Sequence, residues 1–111
     1  MISIRIHATA KSGKQLELKQ AISSLKTRID REVGCTSCRV YQNTDRENEF
    51  VIIEDWENEQ LAYAHLESEN LILLAGAASI LTKEVRLSLG EKPVSKKLAE
   101  IFKKDKEGRH N

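Results

Sequence analysis

The sequence has no apolar run long enough to cross a bilayer as a helix, which takes about 20 residues. Its first ten residues, MISIRIHATA, alternate as a strand does and lack the charged-then-apolar layout of a secretory signal. It also lacks a phosphate-binding glycine loop, a nucleophile elbow and the paired carboxylates of a hydrolase. We therefore expect a cytoplasmic protein that does not bind a membrane.

Cysteine is scarce, and the two residues present, Cys35 and Cys38, form one C-x-x-C motif with no second pair. A zinc site of four ligands is therefore not predicted. On a strand, residues three positions apart point to opposite faces, so the two sulfurs are not expected to bind one ion together. We interpret both as buried, reduced thiols and predict neither a metal nor a cofactor.

Positive and negative side chains nearly balance over the 111 residues, with a formal net charge of +1. Residues 1–91 hold 11 Lys/Arg and 14 Asp/Glu, a net −3, whereas residues 92–111 hold seven and three, a net +4. No aromatic residues alternate with the basic ones of the tail, as stacking on nucleic acid would favour. The sequence thus predicts one domain at residues 1–90, a solvated tail at residues 91–111, and no nucleic-acid partner.

The pattern is organised around FVIIEDWENEQLAYAHL, residues 50–66. Four consecutive apolar residues predict a strand with apolar side chains on both faces. Trp56 ends this strand, and Asn58 is suited to cap a following helix. Leu61, Ala62, His65 and Leu66 share one face of that helix, so we expect Trp56 and His65 to lie near each other where strand gives way to helix.

The N-terminal half predicts a strand, a helix and a hairpin. Ile2, Ile4 and Ile6 alternate with polar residues, and Ser12 to Gln15 fits an S-x-x-Q capping box. Gly34 is suited to end the helix that follows. Residues 35–42 and 50–56 then predict two strands joined by a polar turn at residues 43–49. One apolar stripe predicts the buried side of the first helix: Leu18, Ile22, Leu25 and Ile29.

The C-terminal half begins with the second helix near Asn58 and contains NLILLAGAASIL, residues 70–81, which is apolar almost all round. A helix of this kind should be covered by the fold or by another subunit. Residues 83–89 alternate as a fourth strand, and residues 90–93 break the pattern. Val94, Leu98, Ile101 and Phe102 then predict an amphipathic tail helix.

The order strand, helix, strand, strand, helix, strand is typical of an α+β fold, a ferredoxin-like βαββαβ antiparallel sheet with helices on one face. The other face of the sheet would be bare in a monomer. Since residues 50–53 are apolar on both faces, the pattern predicts a large apolar patch there. A face-to-face homodimer would cover that patch.

Several segments resemble the antibiotic biosynthesis monooxygenase family of dimeric α+β barrels: Gly34-Cys35, the CRVYQ that follows, and FVIIEDWENEQLAYAHLES with its W-x8-H spacing of Trp56 and His65. The resemblance covers roughly residues 1–90. It implies two ferredoxin-like protomers with their sheets face to face, each with a small pocket between its sheet and helices. Relatives include cofactor-free oxygenases of quinols and polycyclic phenols, haem-degrading enzymes and proteins that act on small signalling molecules.

The resemblance and the residues together favour a cofactor-independent monooxygenase of a small quinol-like or phenolic compound. His65 would serve as base or proton shuttle, because histidine titrates near neutral pH, and Trp56 as an aromatic wall. The substrate pocket is assigned to Trp56 with Ile6, Ile52, Leu61 and Tyr63. An alternative assigns Trp56 and His65 to packing alone.

Two departures from the family pattern keep a second function open. Haem-degrading relatives use an Asn on the first strand, and residues 4–8 here have none; phenol-oxidising relatives place an Asn where Ile52 and Ile53 stand. The alternative is a non-catalytic small-ligand-binding or structural homodimer, with haem binding as a third option.

His7 is interpreted as an interface or surface residue, and Arg5 and Arg39 as ion-pair partners of Glu54 or Asp55.

Overall fold

The computed structural model describes residues 1–90 and, beyond them, the short strand Lys92–Pro93. Three helices and five strands follow one another along this part of the chain. The predicted tail helix at residues 94–102 lies outside the described residues. The elements are β1 Ile2–Ala10, α1 Gln15–Ile29, β2 Cys35–Gln42, β3 Glu49–Trp56, α2 Glu59–Leu66, α3 Glu69–Leu81, β4 Thr82–Leu89 and β5 Lys92–Pro93.

The strands form one antiparallel sheet in the order β2-β3-β1-β4-β5, and the helices lie on one side of it. This is the ferredoxin-like α+β arrangement that the order of elements predicts. The β2–β3 hairpin is confirmed, with Asn43 Oδ1 accepting from the backbone N–H groups of Asp45 (2.8 Å) and Arg46 (3.3 Å) in its turn. The edge strand β5 was not predicted, since Lys92 and Pro93 fall in the segment interpreted as a break.

The side of the sheet that the helices cover, here the covered face, holds the core. Alternation along each strand sends every second side chain there. On β3 this places Phe50, Ile52, Glu54 and Trp56 inside. The apolar stripe of α1 is buried as predicted, with exposures between 1% and 8%. These packed side chains account for the stability of the domain.

The opposite side of the sheet, here called the open face, has fewer apolar side chains than the sequence predicts. Two rows cross it from β2 to β4. One consists of Arg39, Ile53, Arg5 and Ser88, and the other of Tyr41, Val51, His7 and Arg86. The prediction of a large apolar patch is therefore wrong, because the apolar side chains of β3 are flanked on both sides by charged and polar neighbours.

The start and end of α1 differ from the prediction. Its N-cap is Lys14, with no side-chain cap, so the capping box of Ser12 and Gln15 does not form. Gly13 takes a left-handed conformation (φ 79°) inside a turn that the Lys14 N–H closes by donating to the Lys11 carbonyl (2.9 Å). That turn sets Ser12 outside the helix. The helix then ends at Ile29, five residues before Gly34.

Gly34 instead meets a packing requirement. Its φ is +92°, a conformation that only glycine adopts without strain, and a Cβ there would lie 2.6 Å from Leu61 Cδ1. The turn between α1 and β2 therefore packs directly against α2. This close approach brings the turn residues beside His65.

The predicted second helix is two helices. Ser68 interrupts it, and its side chain accepts from the Leu71 N–H (3.3 Å), so that α3 starts with its own N-cap. The predicted cap of α2 is confirmed, since Asn58 Oδ1 accepts from the Leu61 N–H (2.9 Å). The fold covers α3 only on one side: Leu71 and Leu74 are buried, whereas Leu73 and Ile80 are 41% and 59% exposed.

Candidate functional site

Trp56 and His65 meet where β3 ends and α2 begins. Asn58 caps α2 directly after Trp56, so the helix folds back over the end of the sheet and His65 on its second turn faces the indole. The two rings stack with centroids 4.5 Å apart and planes 28° apart. The sequence predicts this proximity, and the structure adds that both residues are almost fully buried, at 1% and 2% exposure.

Beneath the stacked pair lies a carboxylate that sequence reasoning missed as a site residue. Glu54 is 0% exposed and shares the covered face with Trp56, two positions along β3. The Trp56 Nε1–H donates to Glu54 Oε1 (3.2 Å), and His65 Nε2 lies 2.9 Å from the same oxygen without its N–H being aligned on it. Glu54 Oε2 has no hydrogen-bond partner among the described residues. A buried carboxylate of this kind is costly unless a positive charge is close by.

A second carboxylate approaches His65 from the other side. Glu32, in the turn between α1 and β2, contacts His65 Nδ1 through Oε2, and its Oε1 accepts from Asn70 Nδ2 at 2.8 Å. Ser68 Oγ lies 3.3 Å from His65 Nδ1. Glu32 thereby links the turn to α2 and to the first turn of α3. Its side chain is 18% exposed, whereas those of His65 and Glu54 are 0% exposed.

These contacts set the charge of the imidazole. Burial alone lowers the pKa of His65, but Glu54 and then Glu32 raise it, and the net result is a pKa above the ordinary value. The raised pKa favours the protonated ring, an imidazolium with one N–H directed to Glu32 and the other nitrogen beside Glu54. Two carboxylates face a single imidazole in this cluster of Glu32, Glu54 and His65, so its negative groups outnumber its one possible positive group. A protonated ring donates a proton and cannot act as a base before it has released one.

The pair opens onto a surface cleft of about 250 Å³. We call it the cleft. Its polar lining residues are Glu32, His65 and Ser68, and the other lining residues are apolar. It is lined by Glu32, Val33, Trp56, Leu61, Ala64, His65 and Ser68.

The residues assigned to the pocket from sequence fall in three places. Trp56 and Leu61 line the cleft. Ile6 and Ile52 line a separate apolar cavity between sheet and helices of about 10 Å³, room for at most one water molecule. Tyr63 is 48% exposed and lines neither cavity. The structure therefore does not bring these five side chains together.

The two cysteines lie on the same face of the sheet, contrary to the prediction. A β-bulge between Cys35 and Ser37 shifts the register, so that Cys35 pairs with Trp56 and Cys38 with Glu54, both inward-facing positions. Burial raises the pKa of Cys35 to about 11 and that of Cys38 to about 12. Both are free thiols, and within the described residues no group of three or more His, Cys, Asp or Glu could hold a metal ion.

The carboxylates of the predicted ion pairs, Glu54 and Asp55, lie on different faces of the sheet and have different partners. Arg39 pairs with Asp55 on the open face, with Nη2 3.1 Å from Oδ2. Glu54 instead meets His65. His7 is exposed on the open face.

Glu54 carried a signal in the sequence, because strict alternation places it on the same face as Ile52 and Trp56. Glu32 carried none, since the turn after α1 reaches His65 only through the packing of Gly34 on Leu61. Ser68 followed by Glu69 was a readable helix start.

The family model of antibiotic biosynthesis monooxygenases matches residues 1–71. No protein of curated function matches the sequence. Solved structures match the fold. A proposed antibiotic biosynthesis monooxygenase from Deinococcus radiodurans is 20% identical, with a TM-score of 0.77 over 82% of this chain and 91% of its own.

Two further structures agree. A proposed antibiotic biosynthesis monooxygenase from Nitrosomonas europaea is 21% identical, with a TM-score of 0.74 over 80% of this chain and 95% of that one. A conserved protein from Methanosarcina mazei is 23% identical, with a TM-score of 0.73 over 82% of this chain and 91% of that one. Similarity at this level of identity shows a shared fold. In the described part of the chain, no helix is long and apolar enough to cross a membrane.

Proposed function

Because the chain belongs to the antibiotic biosynthesis monooxygenase family, we propose that its cleft binds a small quinol-like or phenolic molecule and that the protein oxygenates it without a cofactor. In such a reaction the substrate supplies the electrons, one oxygen atom of O₂ enters the substrate and the other leaves as water. The protein then has to hold an electron-rich ring, move protons and limit the access of water.

The observation that carries this proposal is the stacked pair of Trp56 and His65 at the inner wall of the cleft. Trp56 belongs to the apolar lining of the cleft, and His65 covers one face of its indole. His65 is a titratable group buried beside it and in contact with two carboxylates. Perturbed titratable groups beside a concave site are a recurring property of functional sites. Leu61 contributes a further apolar wall, and we assign Ile6, Ile52 and Tyr63 no direct contact with the ligand.

In this proposal His65 is a proton shuttle. Its Nδ1 contacts Glu32, which lines the cleft, so a proton can pass from the ring through Glu32 to a developing oxyanion and return from solvent by the same carboxylate. The alternative role as the initial base requires that the ring first lose its proton. The raised pKa of His65 makes that loss less favourable at neutral pH.

A second candidate function is ligand binding without turnover. It is favoured by the contacts of His65, both of whose nitrogens are occupied by carboxylates. The cavity between sheet and helices, about 10 Å³, is too small for a substrate. Haem binding has less support, since the cleft, at about 250 Å³, is smaller than the roughly 300–1,000 Å³ typical of ligand pockets.

Oxygen uptake with a panel of reduced quinones and phenols tests the oxygenase. We expect uptake by the wild type, and a loss of about 100-fold or more in His65→Gln if the ring moves a proton. His7→Gln is the matched control, because His7 is exposed on the other side of the sheet, and it should keep wild-type uptake. Uptake that is equal in wild type and His65→Gln, or absent throughout the panel, would leave ligand binding as the better description.

We further propose a homodimer that pairs the open faces of two sheets. Val51, Ile53 and Tyr41 supply its apolar centre, and family members with this fold are expected to pair in this way. Ile53→Lys should convert the dimer to a monomer in light scattering. The control is Ile80→Lys, which adds the same charge on exposed α3. A wild-type monomer, or dissociation caused by Ile80→Lys alone, would reject the open face as the interface.

The setting we propose is the cytoplasm, where the free thiols Cys35 and Cys38 remain reduced. Partners in this proposal are a second copy of the chain and a small aromatic molecule, with no nucleic acid and no membrane. The division of the chain at residue 90 stays a prediction.

A further inference from the structure

The polar groups that line the cleft or lie behind its wall differ in how far a ligand can reach them. The side chains of Glu54 and His65 are both 0% exposed, and that of Glu32 is 18% exposed while lining the cleft. His65 presents no nitrogen to the cleft, because Nδ1 contacts Glu32 and Nε2 is buried 2.9 Å from Glu54 Oε1. A ligand in the cleft therefore meets the histidine only behind the Glu32 carboxylate.

The Glu32 carboxylate is held in place and still has room for another donor. His65 contacts one oxygen, and Asn70 donates to the other at 2.8 Å. A carboxylate has about four lone-pair positions, so roughly two remain for other donors. An acceptor that is already fixed by two partners loses little freedom when it binds a third group.

The charge around this acceptor is unfavourable to anions. Two carboxylates, Glu32 and Glu54, flank a single imidazole, so negative groups outnumber positive ones there. Trp56, Leu61 and Ala64 form an apolar wall that would desolvate a further carboxylate. A hydroxyl proton meets a charged acceptor in the same place, and hydrogen bonds to charged groups are the stronger ones.

We propose that Glu32 is the specificity-determining residue of the cleft, accepting a hydrogen bond from a neutral aromatic ligand and excluding carboxylate ligands of the same size. This inference rests on the proposed function only in that the cleft binds a small aromatic molecule. It does not require turnover. Glu32 would contact the ligand directly, and it would also keep its contact with His65 Nδ1.

The chain contains a single tryptophan, Trp56, which forms part of the cleft wall. Its indole N–H gives one cross-peak in a proton–nitrogen NMR spectrum, so a titration of that peak follows binding beside the stacked pair. Three probes of the same ring size separate the contributions: 2-naphthol is neutral with an O–H donor, 2-methoxynaphthalene is neutral without one, and 2-naphthoate is an anion.

In the wild type we expect 2-naphthol to bind about tenfold more tightly than either of the other two probes. In Glu32→Gln, which keeps the size of the side chain and removes its charge, 2-naphthol should bind more weakly and 2-naphthoate more tightly, so that the preference between them largely disappears. Glu17→Gln, an exposed glutamate of α1 that pairs with Lys14, is the matched control and should keep the wild-type preference.

Equal binding of 2-naphthol and 2-naphthoate by the wild type would overturn the inference, whatever the variant does, and so would an unchanged preference in a folded Glu32→Gln. An indole peak that no probe moves would also overturn it. Oxygen uptake is decided separately: selective binding without uptake rejects the oxygenase and keeps the role of Glu32, and uptake with no selectivity does the reverse.

Discussion

Glu54 and Asp55 are adjacent carboxylates on β3 that occupy opposite environments. Glu54 lies on the covered face, 0% exposed, against Trp56 and His65. Asp55 lies on the open face, where it accepts from Ser3 Oγ (2.5 Å) and pairs with Arg39. The same functional group, one residue apart, is a buried member of a candidate site in one case and a surface ion-pair partner in the other. The two carboxylates therefore differ in their access to water: Glu54 has none, whereas the side chain of Asp55 is 15% exposed and its partner Arg39 is 48% exposed.

The largest expected effect comes from removing each carboxylate in turn. Glu54→Ala leaves the His65 imidazolium buried beside one carboxylate and opens a cavity, and it should lower the free energy of unfolding by about 3–5 kcal/mol. Asp55→Ala removes a surface pair and one hydrogen bond, and it should cost about 1 kcal/mol. Urea denaturation of both variants measures the difference. Similar losses would mean that burial does not distinguish the two faces.

A somewhat smaller difference is expected between two glycines with positive φ. Gly34→Ala should lower the free energy of unfolding by about 2 kcal/mol or more. The new Cβ would overlap the side chain of Leu61, and an alanine is strained at the positive φ of this position. Gly13→Ala has open space and carries the conformational cost alone, about 1 kcal/mol. Thermal and urea unfolding of the pair separate the packing contribution from the backbone contribution. Equal losses would show that Leu61 can move aside.

The pH dependence of stability tests the charge on the covered face. The pKa of His65 is raised in the folded state, so its protonation stabilises the fold fully below the ordinary value of about 6.5. That contribution is lost as pH rises from there through the raised folded pKa. The free energy of unfolding should therefore fall as pH rises above about 6.5 in the wild type, until the raised folded-state pKa has been passed. His65→Gln should lack this decline, and a wild-type profile that is flat or rising would contradict a protonated ring.

The smallest effect is expected on the open face. Arg39→Ala removes an ion pair with Asp55 whose arginine is 48% exposed, and it should cost less than about 1 kcal/mol, decreasing further in high salt. Urea denaturation at low and at high salt measures it. A loss that is large and independent of salt would indicate that the pair is buried in solution, as an interface across the open face would bring about.

Local patterns in the sequence predicted most of the helices and strands, but a smaller part of the candidate site. The stripe of α1, the alternation of β1, the hairpin and the Asn58 cap depend on spacing and short-range hydrogen bonds, and all four agree with the structure. The capping box at Ser12 failed because a tight turn at Gly13 competes with it. The proximity of Trp56 and His65 followed from one strand, one cap and one helix turn.

The order of the four long strands, the buried stripe of α1 and the position of Trp56 beside His65 could be predicted from the sequence, since each depends on periodicity within a few residues. Packing set the contact of Glu32 with His65 Nδ1, the bulge that turns Cys35 to the face of Cys38, and the place of the cleft outside the cavity between sheet and helices. Those outcomes depend on how segments distant in sequence pack together, and on small shifts in register, which no local pattern contains.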